Sequence, residues 1–308
     1  MTSRTVRSRV DPGAVRRTLR AAGLTARHGL SQNFLVDVDV LDAIIAEAAP
    51  QPGRRVLEIG PGLGILSAAL LDAGAAVTSI ELDAGLAAQL RSTFGPALER
   101  ASIEPSSPGS LVLIEGDALD EELSALLAPP YDVVANLPYH VTSPILHRLL
   151  GTPPRPERIV VMLQREVAER IAAPPGSMSY LSVFVQYHAR VRVAFRVPAA
   201  AFEPAPAVES AVVVIEPYPD DDADLLPVAE EDELWRLVQA AFRERRKMIH
   251  NVLARQLPIA AERVAAALAA ASIDPQRRPQ TLAVGEWLAL REQLTPIASD
   301  MRGRHVAP

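Results

Sequence analysis

The stretch RVLEIGPGLGILSAALLDAGAAVTSIELD, residues 55–83, sets two strand patterns around one helix pattern. Arg55–Ile59 is a short apolar run, and glycines 60, 62 and 64 then interrupt it. Ile65, Leu66, Ala69 and Leu70 recur on one helical face, and Gly74 supplies the stop. Ala76–Glu81 is the next strand and Ala84–Phe94 the next helix. Leu111–Ile114, Glu121–Leu127, Tyr131–Asn136, Ser143–Leu150 and Arg158–Leu163 continue the alternation. Strands alternating with helices at this spacing predict an α/β fold with a mostly parallel, Rossmann-like sheet.

Outside that frame the pattern changes. Arg190–Val197 and Ser210–Glu216 predict antiparallel strands added to the sheet edge, and Tyr180–His188 a helix before them. The segment 217–233 is acidic and Pro-containing, which marks a boundary. Beyond it Leu234, Leu237, Val238, Ala241 and Phe242 keep helical spacing, with further helices near 260–271 and 284–294. The expected division is residues 1–217, with a basic N-terminal extension, and residues 218–308, an acidic linker with a small all-helical domain suited to RNA or ribosome binding.

Charge distribution separates function classes better than the net value of -6. Residues 1–30 carry seven arginines against Asp11 alone, and include a short helix near 14–22 closed by Gly23. Residues 234–308 carry eleven arginines and Lys247 against six acids, whereas Glu216–Glu233 holds nine acids and no base. Two basic flanks around an acidic middle suit an RNA-binding rim. The absence of cysteine excludes disulfides, thiolate metal sites and cysteine nucleophiles. Six histidines without zinc spacing predict no catalytic metal. No stretch approaches the roughly 20 apolar residues of a membrane span. A cytoplasmic protein without a membrane partner is expected.

The predicted strand tips carry the chemistry. The turn at 60–64 spaces its glycines as G-x-G-x-G, and Pro61 removes an N–H that a pyrophosphate would need. Glu81 ends the second strand, where an acid can hold both hydroxyls of a ribose. Asp117, in the sequence IEGDAL, ends the third and can accept from the exocyclic amine of an adenine. A glycine-lined channel with these acids and no phosphate cradle describes S-adenosylmethionine better than NAD. The fourth tip reads VVANLPYHVTSP, with Asn136, Leu137, Pro138 and Tyr139 in succession. An adenine amine is a weak nucleophile, because its lone pair is delocalised into the ring. The Asn136 side-chain oxygen and the Leu137 carbonyl can accept its two N–H groups and favour a more localised lone pair. Pro138 aims that carbonyl, and Tyr139 can stack on a base extruded from its helix.

The ordered series SQNFL (31–35), EIGPGLG (58–64), ELD (81–83), GDAL (116–119), NLPY (136–139), MLQREVAERI (162–171) and AFEPAPAVESAVV (201–213) resembles the ribosomal RNA adenine N6-dimethyltransferases. AFRERRKMIHNVL (241–253) is also similar to that family's C-terminal domain. The resemblance implies that Asn33 and Leu35 close over the cofactor, that Gly60, Glu81, Asp117 and Asn136 line its site, and that Phe202 faces Tyr139 across the target adenine. Read without the family, Phe202 is a hydrophobic plug between edge strands. Ser31, His140 and the sequence VPAAAF (197–202) depart from the family's commoner residues. The implied activity is S-adenosylmethionine-dependent dimethylation of two adjacent adenines in a hairpin near the 3′ end of 16S rRNA. The expected partner is that rRNA within the 30S subunit or its precursor, and the expected enzyme is a monomer. The alternatives are a 23S rRNA methyltransferase of the macrolide-resistance type and a 30S assembly-checkpoint binder whose methylation is secondary.

Overall fold

The structure, a computed structural model, describes residues 4–26, 32–95, 97–98, 107–138, 141–222 and 225–302. It divides into two compact units, residues 1–169 with 188–220, and residues 170–187 with 221–308.

The first unit begins with α1 (Arg4–Arg7), α2 (Pro12–Ala21), β1 (Phe34–Leu35) and α3 (Val38–Ala48). Residues 55–83 supply β2 (Arg55–Ile59), α4 (Ile65–Asp72) and β3 (Ala76–Glu81), and α5 (Ala84–Phe94) follows. β4 (Leu111–Glu115), β5 (Tyr131–Asn136), α6 (Thr142–Gly151), β6 (Arg158–Gln164) and α7 (Arg165–Ile171) extend the alternation. α8 (Tyr180–His188) then leads into β7 (Ala189–Val197), β8 (Phe202–Glu203) and β9 (Ser210–Pro217).

Seven strands form one sheet in the order β4-β3-β2-β5-β6-β9-β7. β2 to β6 run parallel, while β9 is antiparallel to both β6 and β7. Val56, Leu57, Val77, Val133, Val134 and Ile159 are almost wholly buried. Such continuous burial follows from helices covering both faces of a parallel sheet. The chain goes outward from β2 through β3 to β4, then returns to β5 on the other side of β2. Ligands of open α/β sheets sit at this reversal, beyond the carboxyl ends of the strands.

Two local expectations change. Residues 121–127 form only a 3₁₀ turn, Leu123–Ala125. The Asp117-anchored turn on one side and Pro129–Pro130 on the other leave no run for a full helix. Residues 170–187, which the sequence groups with the N-terminal domain, cluster instead with the C-terminal helices.

The second unit contains α9 (Val228–Phe242), α10 (Ile249–Gln256), α11 (Ala261–Ala270) and α12 (Val284–Arg302). Trp287 is fully buried among Leu237, Leu253, Leu268 and Leu290. Trp235 lies with its ring centroid 5.0 Å from Phe184 and 5.2 Å from Tyr187, which holds α8 residues in this core. Four acids of the acidic run pair with arginines of their own unit. Glu216 meets Arg158 at 3.2 Å and Asp220 meets Arg155 at 2.9 Å in the first. Glu230 and Glu233 meet Arg291 at 2.8 and 3.5 Å in the second. Among the described residues no helix is long and apolar enough to cross a membrane.

Candidate functional site

Four strand ends converge beyond the sheet. β2 runs into the glycine turn, where Gly60 and Gly64 adopt φ of +71° and +73°. A Cβ on Gly64 would overlap the Phe94 ring, and its backbone is left-handed, so the start of α4 beside α5 calls for glycine. Gly60 faces the cavity, and its left-handed backbone turns the chain away from β2.

Glu81, at the end of β3, is 5 % exposed. One carboxylate oxygen accepts from the Gly62 N–H at 2.9 Å and the other from the Asp83 N–H at 2.9 Å. Burial pushes its pKa above the usual carboxylate range, and the two N–H donors oppose that shift. Asp117, just past β4, accepts from the Leu119 N–H at 2.8 Å, which leaves its second oxygen for other donors. Both acids are thereby fixed by backbone before any ligand arrives.

The β5 end is held more lightly. The Asn136 amide donates to the Asn33 carbonyl at 3.4 Å, and its side-chain oxygen is the acceptor that remains. Leu137 is buried, and its N–H donates to the Met162 carbonyl at 3.2 Å. Asn33 leads into β1, which pairs antiparallel with β8 so that Leu35 faces Phe202. The Val36 N–H extends this pairing to the Ala201 carbonyl at 2.7 Å. Phe202 is 3 % exposed and belongs to the core cluster, yet its ring also walls the cavity.

Asn33, Leu35, Gly60 and Glu81 therefore line the same cavity as Asp117, Asn136, Leu137 and Phe202. Tyr139, like His140 and Ser31, lies outside the described residues.

One lining residue escapes the motif reading. Glu58 sits in mid-strand and is 1 % exposed. One of its oxygens accepts from Ser67 Oγ at 2.6 Å and from Ser79 Oγ at 2.7 Å. Its other oxygen has no hydrogen-bond partner among the described residues. Desolvation pushes its pKa up to about 7, against the two hydroxyls. The signal was present in RVLEI, where an acid interrupts an otherwise apolar run.

The donor set tests the ligand. Glu58, Glu81 and Asp117 line the cavity, and among the described lining residues none is basic. A dinucleotide's pyrophosphate would meet like charge here, whereas the cationic S-adenosylmethionine meets compensating carboxylates, so the residues fit that cofactor. Among the described residues no group of three or more His, Cys, Asp or Glu side chains is placed to hold a metal ion.

Comparison with known proteins agrees with this arrangement. The family profile described as "Ribosomal RNA adenine dimethylase" matches residues 23–295. A "Ribosomal RNA small subunit methyltransferase A" of Anaeromyxobacter sp. (strain K) is 42% identical, covering 88% of this chain and 94% of that protein. The protein of the same name from Pelotomaculum thermopropionicum is 39% identical, covering 92% and 96% respectively. Among solved structures, the 23S rRNA methyltransferase ErmE superposes with a TM-score of 0.64 at 28% identity, covering 85% of this chain and 100% of that one. A dimethyladenosine transferase from Plasmodium falciparum shares the fold, with a TM-score of 0.70 at 23% identity and coverage of 86% and 98%. The continuous match through every strand end of the cavity assigns this chain to the ribosomal RNA adenine dimethylase family.

Proposed function

We propose that this rRNA adenine dimethyltransferase acts on N6 of two adjacent adenines in a hairpin near the 3′ end of 16S rRNA, within the 30S particle or its precursor. The observation that carries the reading is the meeting of Asn136 and Leu137 with Glu81 and Asp117 in one cavity. S-adenosylmethionine, when bound, supplies an electrophilic methyl group. Glu81 would hold its ribose and Asp117 its adenine amine, while Asn33 and Leu35 close over it and Gly60 leaves room for the ligand at the turn.

The protein's work at the target base is positioning and exclusion of water. Asn136 Oδ1 and the Leu137 carbonyl accept the two N–H groups of the target amine and localise its lone pair. Once the first methyl is in place, one of these acceptors still holds the remaining N–H for the second transfer. Tyr139 and Phe202 hold the ring, and the product amine must still fit between them. No base is needed before attack, because the proton leaves to solvent afterwards. Two methyl groups on each of two bases make four transfers, carried out by a monomer.

Relatives named for the small subunit at about 40 % identity support 16S over 23S rRNA, and so does Leu137, since the resistance-type enzymes more often have isoleucine there. The test is incubation with labelled cofactor of unmethylated 30S particles and, separately, of protein-free 23S rRNA, followed by mapping of the products. Dimethyladenosine at two adjacent 16S positions is expected. Label confined to 23S rRNA would overturn the assignment.

A further inference from the structure

The N-terminal extension carries charge that the cavity does not use. α2 starts at Pro12, and its Asp11 cap accepts from the Ala14 N–H at 2.7 Å. Val15 and Leu19 are buried, so Arg16, Arg17 and Arg20 emerge together on the opposite face. Arg16 meets Glu203 at 3.0 Å, one residue from Phe202, so this face begins at the lip of the cavity. Leu24, just past α2, occupies the space where a Cβ on Gly85 would lie, beside the Glu81–Asp83 corner. Between α2 and α5 runs a groove lined by Ser8, Arg9, Arg17, Thr18, Gln89 and Thr93. The Arg9 guanidinium lies over the Phe94 ring, 5.7 Å from its centroid.

Several arginines of this unit meet acids, as Arg54 meets Asp132, Arg192 meets Glu47 and Arg196 meets Glu169. On α2 and just before it such pairing is incomplete. Among the described residues Arg9 and Arg20 have no carboxylate partner, and Arg17, 74 % exposed, is 3.7 Å from Asp11.

We propose that the arginine face of α2 and the groove beside α5 form a phosphate-docking surface for the RNA strand flanking the target adenine. The proposal rests on the reading of the cavity as an RNA adenine site. Guanidinium groups match phosphate oxygens in paired hydrogen bonds. Extruding a base costs a few kcal/mol, and phosphates gripped beside the lip offset that cost where the backbone must kink.

The test uses the full chain and its Arg17→Ala/Arg20→Ala and Arg17→Lys/Arg20→Lys forms. Binding to an unmethylated 16S hairpin and to unmethylated 30S particles is titrated across salt concentration, with S-adenosylmethionine affinity measured in parallel. The alanine form should bind hairpin RNA about tenfold or more weakly at low salt, with its log–log salt slope reduced by about 2. Cofactor affinity should stay within about twofold, and the lysine form should recover most of the slope. Wild type that methylates the RNA, with the alanine form matching it in affinity and slope, overturns the docking surface alone. Loss of 30S binding with hairpin binding intact also overturns it, in favour of an acidic protein partner. Wild type that neither binds nor methylates either RNA overturns the functional reading and this surface with it.

Discussion

The two halves of the cavity are built differently. On the β3 and β4 side the acids are fixed by backbone donors: Glu81 by two N–H groups at 2.9 Å and Asp117 by one at 2.8 Å. On the β5 side Asn136 is tied by a single 3.4 Å bond to the Asn33 carbonyl, and Phe202 sits on a strand of two residues. A rigid half suits a cofactor whose ribose and adenine are the same before and after it gives up its methyl group. A lightly held half suits a base that enters, gains methyl groups and leaves. The difference teaches that binding and transfer are separable, and substitutions on either side should show it.

The largest effect is expected at Asn136. Asn136→Ala removes an acceptor whose partner exists only when the target amine is in place. Single-turnover methyl transfer should fall by about 10²–10³-fold, the range for one positioned hydrogen-bonding group. Glu81→Ala should act on the other half. It removes a hydrogen-bonding carboxylate and frees the Gly62 and Asp83 N–H groups, so S-adenosylmethionine should bind roughly 10- to 100-fold more weakly by calorimetry. Phe202→Leu keeps an apolar plug but removes a stacking face. It should cost about tenfold in kcat/KM for RNA and leave cofactor affinity alone.

The smallest effect concerns stability. Glu58 is buried with its pKa raised to about 7. Between the ordinary carboxylate range and 7, the folded chain holds a proton that the unfolded chain has lost. Raising pH across that window therefore lowers stability. Glu58→Gln should flatten the fall in unfolding free energy between pH 5 and pH 8, read from urea titrations. Part of the slope should remain, because burial raises Glu81 in the same direction. An unchanged slope would place the titration elsewhere.

The parallel frame was legible because RVLEI, AVTSIE and YDVVAN are short, largely apolar, β-branched runs between turns and helical faces. The strand order emerges only in the fold, where the strand ends bring Glu81, Asp117 and Asn136 together. The β1–β8 pairing was not legible, since two residues carry no periodicity and their partner lies far along the chain. The grouping of residues 170–187 with the C-terminal helices depends on Phe184 and Tyr187 meeting Trp235, a contact that no local pattern announces. The acidic run at 216–233 reads in the sequence only as a boundary. Its pairing with Arg155, Arg158 and Arg291 is long-range and became visible only in the fold. Glu58 shows a third cause: an acid inside a familiar motif is easily read as part of the strand, although its burial pushes its pKa up to about 7.

The separation of binding from transfer is tested most directly by measuring S-adenosylmethionine affinity of the Asn136→Ala enzyme at equilibrium, on the same preparation used for single-turnover transfer. The account predicts an affinity within about threefold of wild type beside a transfer rate reduced at least a hundredfold. Equal losses in affinity and rate would contradict it, and would make Asn136 a part of the cofactor half.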